Sequence, residues 1–234
     1  MKIGIKGVIV SNNNKWIYEW LEMDATCPRD VENEIEKANG EDLDVTINSV
    51  GGDVFAGSEI YTMLMGYKGE VVVKIVGVAA SAASIIAMAG DKVLISPTAE
   101  MMIHNITSQA SGDYRDFEHE SNILKDYNST IANAYIIKTG MNKDELLAMM
   151  DEETWLTPEK ALEHEFVDEI MFINDDAPEL AAGLYSMMLP PSVIEKIRNT
   201  IKNPQGFRQE KEAEADFLMA RLNLLKLKGE DISG

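Results

Sequence analysis

The chain has 234 residues, 45% of them hydrophobic and 26% charged, which suits one sizeable domain with an appendage and a core that needs neither disulfides nor a metal. Its net charge of −19 repels nucleic-acid phosphates and argues against a nucleic-acid binder. The acid sits in the body of the protein: residues 174–234 hold 10 acids and 8 bases, leaving 30 acids and 13 bases in residues 1–173. The lone Cys27 cannot form an internal disulfide, which fits a reducing compartment. Met1 is followed by no apolar h-region and no small-residue cleavage site, so the expected location is a cytoplasm.

In chain order, Lys2–Val10 alternates as a strand and Asn12–Asn14 makes a turn. Arg29 to Asn39 carries Val31, Ile35 and Ala38 at helical spacing, with Gly40 ending the helix. Leu43–Ile47 reads as a short buried strand, Asn48-Ser49-Val50-Gly51-Gly52 as a glycine loop, and Val54–Tyr67 as a helix. Val71–Gly90 is long and apolar, yet Lys74, Gly77, Ser81 and Ser84 interrupt it. Its β-branched start and Ala-rich remainder predict a strand over Val71–Val76 and a helix over Ser81–Ala89, not a membrane span. Lys92–Ile95 and Met101–His104 are short strands. Asp113–Thr139 is one long helical pattern with Asp113 as N-cap and Gly140 as the terminating residue. Further helices start at Asn142, with Glu145 placed for a capping box, and at Thr157 with Pro158 in the first turn. Strands alternating with helices predict an α/β fold with a largely parallel sheet. Beyond Ile173 the chain turns acidic and Ala-rich, a linker over 174–182, then helical and Leu-rich. The expected organisation is therefore residues 1–173 as the working domain and 174–234 as a linker with a helical extension.

Gly77-Val78-Ala79-Ala80-Ser81-Ala82 runs from a strand through a glycine into a small-residue helix. Ser81 falls at the helix start, where free N–H groups favour a developing oxyanion and alanines admit a substrate backbone. The same segment also suits a tightly packed helix with Ser81 as a plain N-cap. Ser84, one turn on, is expected to bond back to a carbonyl. The Gly51-Gly52 pair allows close backbone approach and a second oxyanion donor, or is simply a tight turn. His119 and His164 lie in charged helical stretches. His104 ends the apolar run Met101-Met102-Ile103, as a general base or as a satisfied core histidine. No spacing suits a metal, and nothing calls for a cofactor.

Together these pieces resemble the ClpP peptidase family. Its N-S-P-G-G loop, its G-x-A-A-S motif and its M-I-H motif correspond to Asn48–Gly52, Gly77–Ser81 and Met102–His104. The spacings of 29 residues from Gly52 to Ser81 and 23 from Ser81 to His104 look right for the family, the second slightly short. Trp155–Ala161 and Phe166-Val167-Asp168 resemble its F-L-S/T-x-x-E-A…G-L-V-D ending, so the likeness spans about residues 2–173.

The resemblance implies a spiral of ββα units with a projecting long helix, into which Asp113–Thr139 fits. It implies Ser81 as nucleophile, His104 as base and the N–H groups of Gly52 and Ala82 as oxyanion hole. The family's aspartate falls on Glu153, with Asp151 as the alternative, while Asp168 matches a structural position. Val50 replaces the loop proline, the segment that contacts an unfoldase ATPase is expected to be missing, and the tail is additional. These departures look like the head-maturation proteases of tailed bacteriophages. That branch implies a ring-forming homo-oligomer that cleaves capsid or scaffold protein, in the host cytoplasm or inside the prohead, with no membrane or nucleic-acid partner. Competing readings are a non-catalytic ring-forming scaffold, a crotonase-like acyl-CoA enzyme, and an SppA-like Ser–Lys peptidase using Lys74 or Lys92.

Overall fold

The computed structural model describes residues 1–173; the expected linker and tail helices lie outside the described residues. The strands are β1 (Lys2–Ile9), β2 (Ala25–Thr26), β3 (Leu43–Gly52), β4 (Val71–Ala80), β5 (Lys92–Ile95), β6 (Glu100–Ile103), β7 (Thr154–Leu156) and β8 (Glu169–Ile170). The helices are α1 (Lys15–Trp20), α2 (Pro28–Ala38), α3 (Val54–Met65), α4 (Ala82–Ala87), α5 (Tyr114–Thr139), α6 (Lys143–Asp151) and α7 (Pro158–Glu163).

The sheet order is β2-β1-β3-β4-β5-β8, with every neighbouring pair parallel. This is the α/β class expected from alternating strands and helices. The register breaks in line across three strands, between Lys6 and Val8 of β1, between Ile47 and Ser49 of β3, and over the matching stretch of β4. Beyond the break β4 changes partner. Val72–Ile75 pair with β5, whereas Val78–Ala80 pair with β6, which pairs antiparallel with β7. Two successive sheet layers thus share β4, and the second layer carries the end of β4 and all of β6 toward one place.

The core lies between this sheet and α3, α4 and the C-terminal half of α5. Ile47, Ile60, Leu64, Ile75, Ile86 and Tyr135 are fully buried there. Helix ends follow local chemistry. Asp113 caps α5 and forms a capping box with Asp116, and Gly140 ends it in the left-handed region. Thr157 caps α7 ahead of Pro158. Asn142 caps α6 through the Asp144 N–H, without the expected return bond from Glu145 among the described residues.

Two expectations need correction, and one element was not anticipated. The stretch Asn48–Gly52 is not a free loop but the end of β3, because Ser49 pairs with Ala79 of β4 and Gly51 and Gly52 pair with Val8 and Ile9 of β1. β4 likewise continues to Ala80, and Ser81 is not helical. α1 was not anticipated: it has only six residues and buries none of them, with Trp16 and Trp20 facing solvent.

Candidate active site

Ser81 sits on the turn between β4 and α4 with φ 55 and ψ −124, a conformation costly for any residue with a Cβ. Such strain at a strand-to-helix turn lifts a side chain clear of both elements, the geometry of a nucleophile elbow. The Ser81 N–H donates to the Met102 carbonyl at 2.9 Å, which locks the elbow to β6. Two residues further on, His104 emerges beside it, with Nε2 2.7 Å from Ser81 Oγ. Both side chains are half-buried at the same cleft.

Gly51, with φ +90, packs behind the elbow, and Gly52, with φ +149, lies against β1, where a Cβ would fall 2.1 Å from the Ile9 carbonyl oxygen. Gly52 and Ala82 line the cleft together with Ser81 and His104. As the first residue of α4, Ala82 has an N–H with no acceptor inside the helix. The cleft holds about 300 Å³ and is walled in part by Val54, Phe55, Ile85, Ile106, Ile131 and Tyr135. Polar and apolar groups share its lining about equally, and Asp53 at one side is committed to capping α3.

The two candidate acids stand differently. The β6–β7 ladder ends where Ile103 pairs with Thr154, and His104 and Glu153 each lie one residue beyond that last pair. The Glu153 carboxylate, however, accepts from Trp155 Nε1 at 3.4 Å, and the residue has φ 50. Asp151 accepts from Asn105 Nδ2 at 2.6 Å. Neither carboxylate is hydrogen-bonded to His104. The structure thus brings together Ser81, His104, Gly52 and Ala82, and leaves the acid adjacent in register but unengaged.

Ser84 behaves as expected, donating back to the Ser81 carbonyl at 2.6 Å, and its Oγ lies 2.8 Å from the hydroxyl of Tyr135. Burial pushes the Tyr135 hydroxyl well above the usual tyrosine range, so it stays protonated. Asp168 accepts from Val93 N–H and Lys138, away from the cleft. Lys74 and Lys92 are held by Asp44 and Glu169 and do not line the cleft, which removes the Ser–Lys reading. Sequence reasoning passed over Asn105, though it directly follows His104. Among the described residues no helix is long and apolar enough to cross a membrane.

A family model described as Clp protease matches residues 34–174. The chain belongs to the Clp protease family. Relatives include the ATP-dependent Clp protease proteolytic subunit of Deinococcus radiodurans, 29% identical over 133 residues, covering 56% of this chain and 65% of the relative. The corresponding subunit 2 of Tropheryma whipplei is 29% identical over 132 residues, covering 56% of this chain and 73% of the relative. A Bacteroides fragilis subunit is 31% identical over 134 residues, at 56% and 65% coverage. The chain therefore spans just under two thirds of the Deinococcus and Bacteroides relatives. The Clp family match begins within α2, so β1, α1 and β2 precede it, while the elbow, the glycine pair and His104 all fall inside it.

Proposed function

We propose that the protein is a serine endopeptidase working by acyl transfer through Ser81 and His104. The 2.7 Å contact between His104 Nε2 and Ser81 Oγ, on a strained elbow, carries this reading. With its ring proton on Nδ1, His104 accepts the Ser81 proton at Nε2 as Oγ attacks a peptide carbonyl. The N–H groups of Gly52 and Ala82 stabilise the oxyanion. His104 then protonates the leaving amine, and water activated by the same nitrogen releases the acyl group. Glu153, one residue beyond the rung that ends the ladder beside His104, orients the ring once its side chain leaves Trp155. The cleft, lined by both polar and apolar groups, takes a substrate side chain beside the scissile bond.

The named relatives support the peptidase reading, since each is a proteolytic subunit. A ring-forming homo-oligomer is part of this proposal, supported by Tyr114 and Phe117, which are 77% and 52% exposed on the free end of α5. The finer reading is a phage head-maturation protease acting on capsid or scaffold protein. Val50 in place of the loop proline and the residues beyond the family match, 175–234, support it.

The test is mass-spectrometric mapping of a fluorophosphonate, on the protein alone and with coexpressed capsid protein. Label on Ser81 and capsid cleavage lost in Ser81→Ala support both levels. Label without capsid cleavage leaves a peptidase of other substrate. The unengaged acid favours a second reading, a non-catalytic scaffold of the same fold, and absence of any label in assembled protein would establish it.

A further inference from the structure

The β6–β7 ladder ends at Ile103 and Thr154, one position short of the residues that the proposed chemistry needs to align, His104 and Glu153. β7 has only three residues, too few to hold its own end in place by backbone pairing alone. Past the last rung, the two segments are joined again, among the described residues, by a side-chain bond from Asn105 Nδ2 to Asp151 Oδ1 at 2.6 Å. The pair brackets the active residues: Asn105 follows His104, and Asp151 precedes Glu153 by two. The exit of the His104 segment is fixed once more by the Ile106 N–H donating to Asn128 Oδ1 at 2.8 Å.

Two further observations give the bond its meaning. Asn105 Oδ1 is buried with no partner among the described residues. Turning the amide over would solvate nothing and would set that oxygen against a carboxylate, so the bond to Asp151 fixes the amide in one orientation. Asp151, Glu152 and Glu153 are also consecutive acids at the C-terminal end of α6, where the helix dipole disfavours negative charge. Among the described residues none of the three has a cationic partner in an ion pair. The Asn105 amide is the donor that draws this segment toward β6.

From this geometry we infer that Asn105 and Asp151 form a positioning clamp that holds His104 in line with Ser81 and Glu153, and that Asp151 acts through this bond. The inference rests on the peptidase reading above. It makes Asp151 important as a hydrogen-bond acceptor and not as a charge, which separates it from a triad acid.

The experiment measures Ser81 labelling rates and peptide kcat and KM for a set of variants, with hydrogen exchange of the peptide spanning 151–156. Asn105→Ala and Asp151→Ala each lower kcat roughly 10- to 100-fold with KM little changed, since misplacement by about 1 Å costs that much. Asp151→Asn keeps the acceptor and loses little. Asn105→Asp sets two carboxylates face to face and is as poor as Asn105→Ala, and adding Asp151→Asn to it restores kcat and protection of 151–156 together. Asp151→Asn as inactive as Asp151→Ala would overturn the clamp and make Asp151 the acid. Failure of the paired swap to restore either readout would overturn it too. A wild-type protein that takes no label would count against the peptidase reading; protection of 151–156 lost in Asn105→Ala and regained in the swap would still support the clamp.

Discussion

Gly51 packs against Ser81 with no room for a side chain: a Cβ at Gly51 would lie 2.8 Å from Ser81 Cβ and 2.6 Å from the Ala80 carbonyl oxygen. Those atoms are backbone or bound to it, so nothing flexible can give way, and the φ of +90 is itself unfavourable for alanine. Gly51→Ala must therefore displace the elbow. We expect Ser81 labelling to fall roughly 100-fold, the scale on which small displacements act. Unfolding stability should fall by about 1–3 kcal/mol from the stored strain. Labelling kinetics followed by mass spectrometry, beside a urea titration, check both.

Much of this site was legible in the sequence because its parts are chemically unusual where they stand. A glycine pair after a β-branched run, a serine among alanines and a histidine ending an apolar strand each had two meanings, and the resemblance to ClpP peptidases in their order and spacing favoured the catalytic one. The long helix was read to its ends because Asp113 and Gly140 are strong caps. What escaped was whatever pairing decides. The extension of β3 and β4 through small residues depends on neighbours distant in sequence, as does β7, whose three residues carry no period. The Asn105–Asp151 bond spans 46 residues, a separation at which sequence carries no local signal. The acid stayed open because Glu153 lies just beyond the last rung beside His104 while its carboxylate turns to Trp155.

The buried Ser84–Tyr135 pair should couple α4 to α5. Ser84→Ala strips the fully buried Tyr135 hydroxyl of its partner and should cost about 1–3 kcal/mol. Tyr135→Phe leaves Ser84 bonded to the Ser81 carbonyl and should cost about 1 kcal/mol. The double variant should cost less than the two added together, because it leaves no buried hydroxyl unpaired. Chemical denaturation of the three variants measures the difference.

The start of α2 should be sensitive to acid. Burial pushes the Asp30 carboxyl up, but Lys15 at 2.9 Å and the Cys27 N–H at 3.0 Å outweigh it and hold the carboxyl below the usual range. A depressed folded-state value stabilises above the unfolded value and loses that contribution as pH falls through the folded one. The side chains of Lys15 and Asp30 are 21% and 42% exposed, so solvent screening limits the effect to about 0.5–1 kcal/mol. Asp30→Asn should therefore be less stable than wild type at pH 7, with the gap closing below about pH 4. Urea midpoints across that range test it, and a gap that widens on acidification would contradict the assignment.

Glu153 carries a conflict between folding and the proposed chemistry. Its φ of 50 is one that glycine adopts freely and glutamate does not, and it ends α6 where a glycine would ordinarily stand. A residue held there against its own preference needs a reason other than stability. Orienting His104 supplies one under the proposed function, since Glu153 lies one residue beyond the rung that ends the ladder beside His104. Glu153→Gly should therefore raise unfolding stability by about 0.5–1 kcal/mol through relief of that conformation. It should also lower kcat by roughly 100-fold or more, as loss of an orienting acid does. Glu153→Ala keeps the strain and loses the carboxylate, so it should be as inactive as the glycine variant without the gain in stability, and less active than Asp151→Asn. Thermal melts and peptide turnover measured on the same preparations separate the two contributions. A glycine variant that is both more stable and fully active would remove Glu153 from the reaction and leave its backbone conformation unexplained.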